Sequence, residues 1–241
     1  MSHDTTGSNF RLVFAVLFIL AIVAGYLGYR WFSSGGVRAA RGLALAYKSD
    51  PRTRPDYEVK IGERCGEAPF IIPTNGAIAY IWDDSFGTGH RHQGIDTFGG
   101  KGPNQTPVMA AYPGYLSRLQ DWKSSVIIRI PEDPLQPGRQ IWTYYTHMAD
   151  PDGESFVAPE FPPGTQEVYV EASTLLGYQG NYSGDPFNPT GTHLHFSIVL
   201  DDGSGEFRNE LEFGNTLDPS PYLGLPLNAN QNKFELPKCT N

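Results

Sequence analysis

The most regular pattern of polar and apolar positions lies near the end of the chain. In "HLHFSIVL", residues 193–200, a strand's period of two places His193, His195, Ser197 and Val199 on one face and Leu194, Phe196, Ile198 and Leu200 on the other. The second set is wholly apolar and must face a core, so both histidines point away from it. Similar short runs come earlier: "AIAYIW" from Ala77, then "VMAAY", "YLSRL", "SVIIRI", "QIWTYYTHM" and "EVYVEA". They are rich in β-branched and aromatic residues, and Gly, Pro, Asn or Asp separates most of them. The pattern predicts a mainly β domain, built as an antiparallel β-sheet or sandwich.

One segment departs from this pattern. From Leu12 to Tyr29 the chain reads "LVFAVLFILAIVAGYLGY" without a charge, between Arg11 and Arg30. Extended through Phe32, it reaches the roughly 20 apolar residues that span a bilayer. Tyr26, Tyr29 and Trp31 suit an interfacial aromatic belt. A helix buried in a soluble domain is normally amphipathic, whereas this run is apolar all round. A cleaved signal peptide is the other rival, but no A-x-A pattern stands out and the run is longer than a usual signal core. The expected organisation is a tail at 1–11, a transmembrane helix at 12–32, a juxtamembrane linker or arm at 33–74, a β domain at 75–227 and a tail at 228–241. The closing stretch "LDPSPYLGLPLN" reads as a segment packed on the outside of the domain.

Composition sharpens the picture in three ways. With 27 glycines and 20 prolines in 241 residues the chain is turn-rich. A formal charge of -8 argues against a surface built to neutralise phosphates, so no nucleic acid is expected as a partner. Cys65 and Cys239 are the only cysteines; they can close one disulfide in an oxidising compartment or stay unpaired, and their spacing is not that of a metal site.

Taken alone, the H-x-H of the last strand reads more simply as a solvent-facing pair. "GHRHQGIDTFGG", residues 89–100, changes that reading. Its His92 and Asp96 are four apart, a spacing that shares one face of a strand, and the glycines around them disfavour a helix. With one histidine of the later strand they give three ligands and leave a fourth position open, the form of a catalytic zinc site. His147 ends "QIWTYYTH"; by itself it reads as a histidine packed beside Tyr144 and Tyr145.

In this order "HQGID", "YTHM" and "TGTHLHF" resemble the signature segments of the lysostaphin-like, LytM-type M23 zinc metallopeptidases. "TPVMAAYPGYL", "LLGYQGNYSG" and "LDPSPYL" extend the likeness over residues 75–223. The resemblance implies a LytM-like fold of the duplicated hybrid motif type, with one Zn2+ held by His92, Asp96 and His195. It implies that His147 and His193 are the two histidines that act in catalysis without binding the metal, with no division of their jobs legible. The implied substrate is the peptide part of bacterial peptidoglycan, hydrolysed by an endopeptidase. That polymer places the domain outside the cytoplasm, although Arg30, Arg38 and Arg41 follow the apolar run and only Arg11 precedes it, which by charge bias alone favours the reverse. His90 reads as a rim residue, and Met148 stands where leucine is usual. "PDGESFVAPEFPPGTQ" and "DPFNP" are longer than expected and are read as bordering the cleft, with Tyr144, Tyr145, Tyr178 and Tyr182 as candidates to line it. Two rival functions remain: a catalytically silent wall-associated regulator or scaffold, and an envelope protease acting on a protein.

Overall fold

A computed structural model describes residues 16–27, 50, 55–85, 89–231 and 237–239. Among them are ten strands: β1 Ala77–Tyr80, β2 Ile95–Phe98, β3 Pro107–Met109, β4 Gly114–Ser117, β5 Val126–Ile130, β6 Ile141–Thr146, β7 Val168–Val170, β8 Leu175–Tyr178, β9 Leu194–Leu200 and β10 Thr216–Leu217. β1, β2, β9, β6, β5, β4 and β7 lie side by side in that order in one sheet, β10 joins β9, and β3 pairs with β8 separately. Each of these pairings is antiparallel. The mainly β, antiparallel architecture expected from the alternation is what the chain adopts.

β9 is the strand that organises the sheet. β6 runs along one edge of it, from Ile141 opposite Leu200 to Thr146 opposite His195. The other edge is shared, β2 pairing with its first half and β10 with its second. In this register Asp96 and Thr146 flank His195 from the two sides, and His147 follows directly. Residues far apart in sequence thereby meet at one end of three neighbouring strands.

The apolar face of β9 is the centre of the main core. Leu194, Phe196 and Ile198 are fully buried there among Ile95, Leu116, Ile128, Ile141, Tyr145 and Met148. The Phe196 ring meets Tyr145 edge-on, with centroids 5.2 Å apart; burying such a side chain is worth about 1.5–3 kcal/mol. The opposite face is covered as well. Val199 packs with Ile127 and Trp142 under Trp122, Tyr144 and Phe207 in a second, smaller cluster.

Two differences from the sequence-based expectation concern the flanks, and one alternative left open there is decided. Val59, Cys65, Phe70 and Ile72, placed in the linker or arm, are members of the main core. Their backbone is irregular and is tied by isolated contacts, such as Phe70 N–H to the Tyr222 carbonyl at 2.9 Å, so no periodicity announces them. The closing segment is likewise not an outer layer: Tyr222, Leu223, Leu225 and Leu227 are buried in the same core. Cys65 and Cys239 form a disulfide, which ties the tail to the start of the domain.

The expected anchor is described only in part. Residues 16–27 are helical and exposed, and the rest of 12–32 lies outside the described residues. Among the described residues no helix is long and apolar enough to cross a membrane.

Candidate metal centre

The centre begins with the approach of one backbone to another. A Cβ on Gly94 would stand 2.2 Å from the Phe196 carbonyl oxygen, so only glycine lets the segment between His92 and Asp96 lie against β9. His92 is anchored just before it by a two-way backbone pairing with Asp83 and Asp84. Its Nδ1 lies 3.1 Å from the Ile81 carbonyl oxygen, and since a carbonyl only accepts, Nδ1 carries the proton and Nε2 is left with a lone pair.

That lone pair meets two other acceptors. His92 Nε2 is 3.2 Å from Asp96 Oδ1 and 3.2 Å from His195 Nδ1, and His195 Nδ1 is 2.9 Å from Asp96 Oδ1. His195 Nε2 is occupied elsewhere, 2.8 Å from Glu210 Oε1. The ligand atoms of His92, Asp96 and His195 all lie within 4.8 Å of one another, and all three residues are buried. His90 stands outside this group.

Two imidazoles tied down at their outer nitrogens and one carboxylate thus turn three lone-pair atoms on a single point. Such a set is stable only with positive charge between its members. In the metal-free chain a proton supplies it. Burial disfavours charge on His195, but Glu210 and Asp96 outweigh burial and raise its pKa to about 10. Burial also pushes the Asp96 carboxyl up, yet His92, His193 and the hydrogen bonds from His195 hold it well below the usual carboxylate range. The two-nitrogen, one-oxygen donor set fits a divalent cation such as zinc in place of that proton.

Two more histidines face the same point. The His193 ring stacks on Phe98 at 4.9 Å, its Nδ1 donates to the Gly191 carbonyl at 2.5 Å, and its Nε2 lies 3.6 Å from Asp96 Oδ1. His147 leaves β6 with φ 70°, a left-handed conformation uncommon for a residue with a side chain. The turn brings its ring within 4.5 Å of His193, and its Nδ1 donates to the Tyr182 carbonyl at 2.6 Å. Gly180 permits this packing, because a Cβ there would meet the His147 and Ala149 carbonyl oxygens at 2.4 and 2.2 Å. Burial lowers both imidazole pKa values. For His147 burial and then the neighbouring His193 and His195 bring it to about 3, so both rings are neutral at pH 7.

The structure therefore brings together all five residues singled out in the sequence. It does not bring every tyrosine with them. Tyr145 is fully buried in the core, where its hydroxyl accepts the Ala111 N–H at 2.9 Å, so it lines no cleft. Tyr144 is half-buried and donates to Ser125 Oγ at 3.0 Å. The longer segment at 151–166 contributes Val157, Ala158 and Phe161 to the main core, while Phe187 of "DPFNP" is 96% exposed. Glu210 was not visible beforehand: "FRNELEF" has no spacing that links its carboxylate to a histidine 15 residues earlier.

Comparison with known proteins finds likeness only at the level of structure. No protein-family model matches the chain, and no curated protein matches it. It is similar to the catalytic domain of the antimicrobial peptidase lysostaphin from Staphylococcus simulans, at 20% identity over 60% of this chain and 88% of that one, with a TM-score of 0.39. It is similar to a variant catalytic domain of the prophage-encoded M23 protein EnpA from Enterococcus faecalis, at 22% identity over 64% and 98%, with a TM-score of 0.37. A third is Csd3 from Helicobacter pylori, at 17% identity over 64% of this chain and 34% of that one, with a TM-score of 0.38. The chain resembles solved M23 peptidases.

Proposed function

We propose that the chain is a zinc-dependent endopeptidase that hydrolyses peptide bonds in bacterial cell-wall peptidoglycan. The observation that carries this reading is the convergence of His92 Nε2, Asp96 Oδ1 and His195 Nδ1, with two neutral histidines beside them that are not needed to complete the donor set. A purely structural metal site closes all its positions with protein ligands; three leave one open for chemistry. A zinc ion bound there supplies Lewis acidity toward a carbonyl and a water that ionises near neutral pH.

His92, Asp96 and His195 hold the metal. His193 and His147 have their Nδ1–H groups bound to the Gly191 and Tyr182 carbonyls, which leaves both Nε2 atoms free to accept a proton. Peptide hydrolysis needs a proton taken from water and returned to the leaving amine, together with a donor for the oxyanion, and two adjacent imidazoles share these tasks. The left-handed backbone at His147 fixes one of them in place. The choice of peptidoglycan as substrate is supported by the ordered "HQGID", "YTHM" and "TGTHLHF" segments. We further propose that residues 12–32 anchor the chain in the membrane with the domain on the outer side. The uncharged run supports the anchor, and the Cys65–Cys239 disulfide supports an oxidising compartment.

The test is incubation of the purified chain with isolated peptidoglycan, with and without a chelator. Chelator-sensitive appearance of new amine termini is expected. A chain that carries its metal and releases none from several wall types contradicts the proposal.

A further inference from the structure

We propose that Glu210 is a positioning residue of this centre: its carboxylate fixes His195 in the tautomer that offers Nδ1 to the metal. The inference rests on the metal reading of the site and adds a residue that the motifs do not contain. Glu210 Oε1 lies 2.8 Å from His195 Nε2, on the far side of the imidazole from Asp96 and His92, so it acts through His195 and is not itself a ligand. An imidazole protonated on Nδ1 has no lone pair there and cannot bind through that atom. A carboxylate held against Nε2 excludes that tautomer and raises the basicity of the other nitrogen.

The surroundings show that the carboxylate is delivered to this place rather than straying into it. Its side chain is 13% exposed, and burying a carboxylate is costly without a charged partner; among the described residues the ion-pair partner it has is His195. Its segment is braced from the side of the centre that carries His92. Gln93 Nε2 donates to the Leu211 carbonyl at 2.9 Å. Phe213 packs on Trp82 at 4.5 Å and under the Arg91 guanidinium at 3.6 Å. Trp82 Nε1 donates to Thr216 Oγ1 at 3.1 Å. Arg91 is itself paired with Asp83, next to the backbone pairing that anchors His92. The loop from β9 to β10 is thus bound to the same segment that supplies the first ligand, and Glu210 is the side chain it turns inward to the second histidine.

The experiment compares full-length wild type, Glu210→Ala and Glu210→Gln by Zn2+ affinity, measured in competition with a chromogenic chelator. It adds the 15N–113Cd coupling of the His195 ring nitrogens in the cadmium-loaded chain. Glu210→Ala is expected to weaken zinc about 10–100-fold and to lose the single Nδ1 coupling. Glu210→Gln, whose amide oxygen still accepts from Nε2 but carries no charge, is expected to weaken it by a smaller factor and to keep Nδ1 coupled. Wild-type affinity in a folded Glu210→Ala chain overturns the proposal; if that variant does not fold, wild-type affinity in Glu210→Gln overturns it. A wild type that binds no zinc overturns the metal reading itself, which separates the two failures.

Discussion

The two faces of β9 are buried to nearly the same degree and do opposite work. Leu194, Phe196 and Ile198 are fully buried among apolar neighbours, while His195 on the other face and His193 just before the strand are only 7% and 5% exposed. On the apolar face burial is itself the stabilising event, since contact removes apolar area from water. On the polar face burial is a cost, met by partners for each imidazole: the Gly191 carbonyl for His193, Asp96 and Glu210 for His195. Core residues and candidate site residues thus alternate along one stretch of chain, and the polar partners around the histidines distinguish them.

Neighbouring substitutions on the two faces separate these roles. The largest effect is expected from His195→Ala, which should abolish turnover and most metal binding; His193→Ala should abolish turnover and leave the metal in place. Metal content by atomic spectroscopy and release of amine termini from peptidoglycan check both, and a fully occupied His195→Ala chain breaks the assignment. Phe196→Ala, one residue away, should cost about 3–5 kcal/mol of folding stability by urea titration, through lost burial and the cavity left behind. Opening the Cys65–Cys239 bridge by paired serine substitution should cost about 2–4 kcal/mol, because it frees the unfolded chain from a loop closed across 174 residues.

Smaller effects sharpen the contrast. Tyr145→Phe leaves the Ala111 N–H unpaired in the core and should cost about 1–3 kcal/mol while metal affinity stays unchanged. The polar face should also show itself as a pH dependence in the metal-free chain. His147 is neutral when folded down to about pH 3 but takes a proton near pH 6.5 when unfolded, so stability falls as pH drops through that window. His195 has its pKa raised to about 10, so its contribution is fully present below about 6.5 and is lost as pH rises towards 10. Urea midpoints of chelator-treated protein should therefore peak near pH 6.5, with each limb sloping by at most about 1.4 kcal/mol per pH unit for each group. A profile flat from pH 4 to 9 contradicts the electrostatics described for the centre.

The sequence made some of this legible and concealed the rest for identifiable reasons. Alternation located β9, because a sheet with two different faces writes a period of two into the chain, while β6 and β5 stood out by their β-branched and aromatic residues. β2 escaped it: all four of its residues are buried, and Asp96 sits among them where a polar position reads as an outward one. β10 is two residues long, too short for a pattern, and β8, with Gly177 among its four residues, has no alternation to read. The packing of Phe70 against Tyr222 and of Leu227 into the core depends on irregular backbone, for which the sequence carries no period. At the centre, the spacings of two and four marked His193, His195, His92 and Asp96 as pairs. The left-handed turn at His147 and the return of Glu210 to His195 are set by tertiary contacts, and neither has a local signal.

The most direct test of the central claim is a crystal structure of the zinc-loaded chain with diffraction measured at the zinc absorption edge. The account predicts one anomalous peak, bonded to His92 Nε2, Asp96 Oδ1 and His195 Nδ1 at about 2.0–2.2 Å, with His147 and His193 nearby but not bonded to it. No peak at this point, or one held by a different set of side chains, would contradict it.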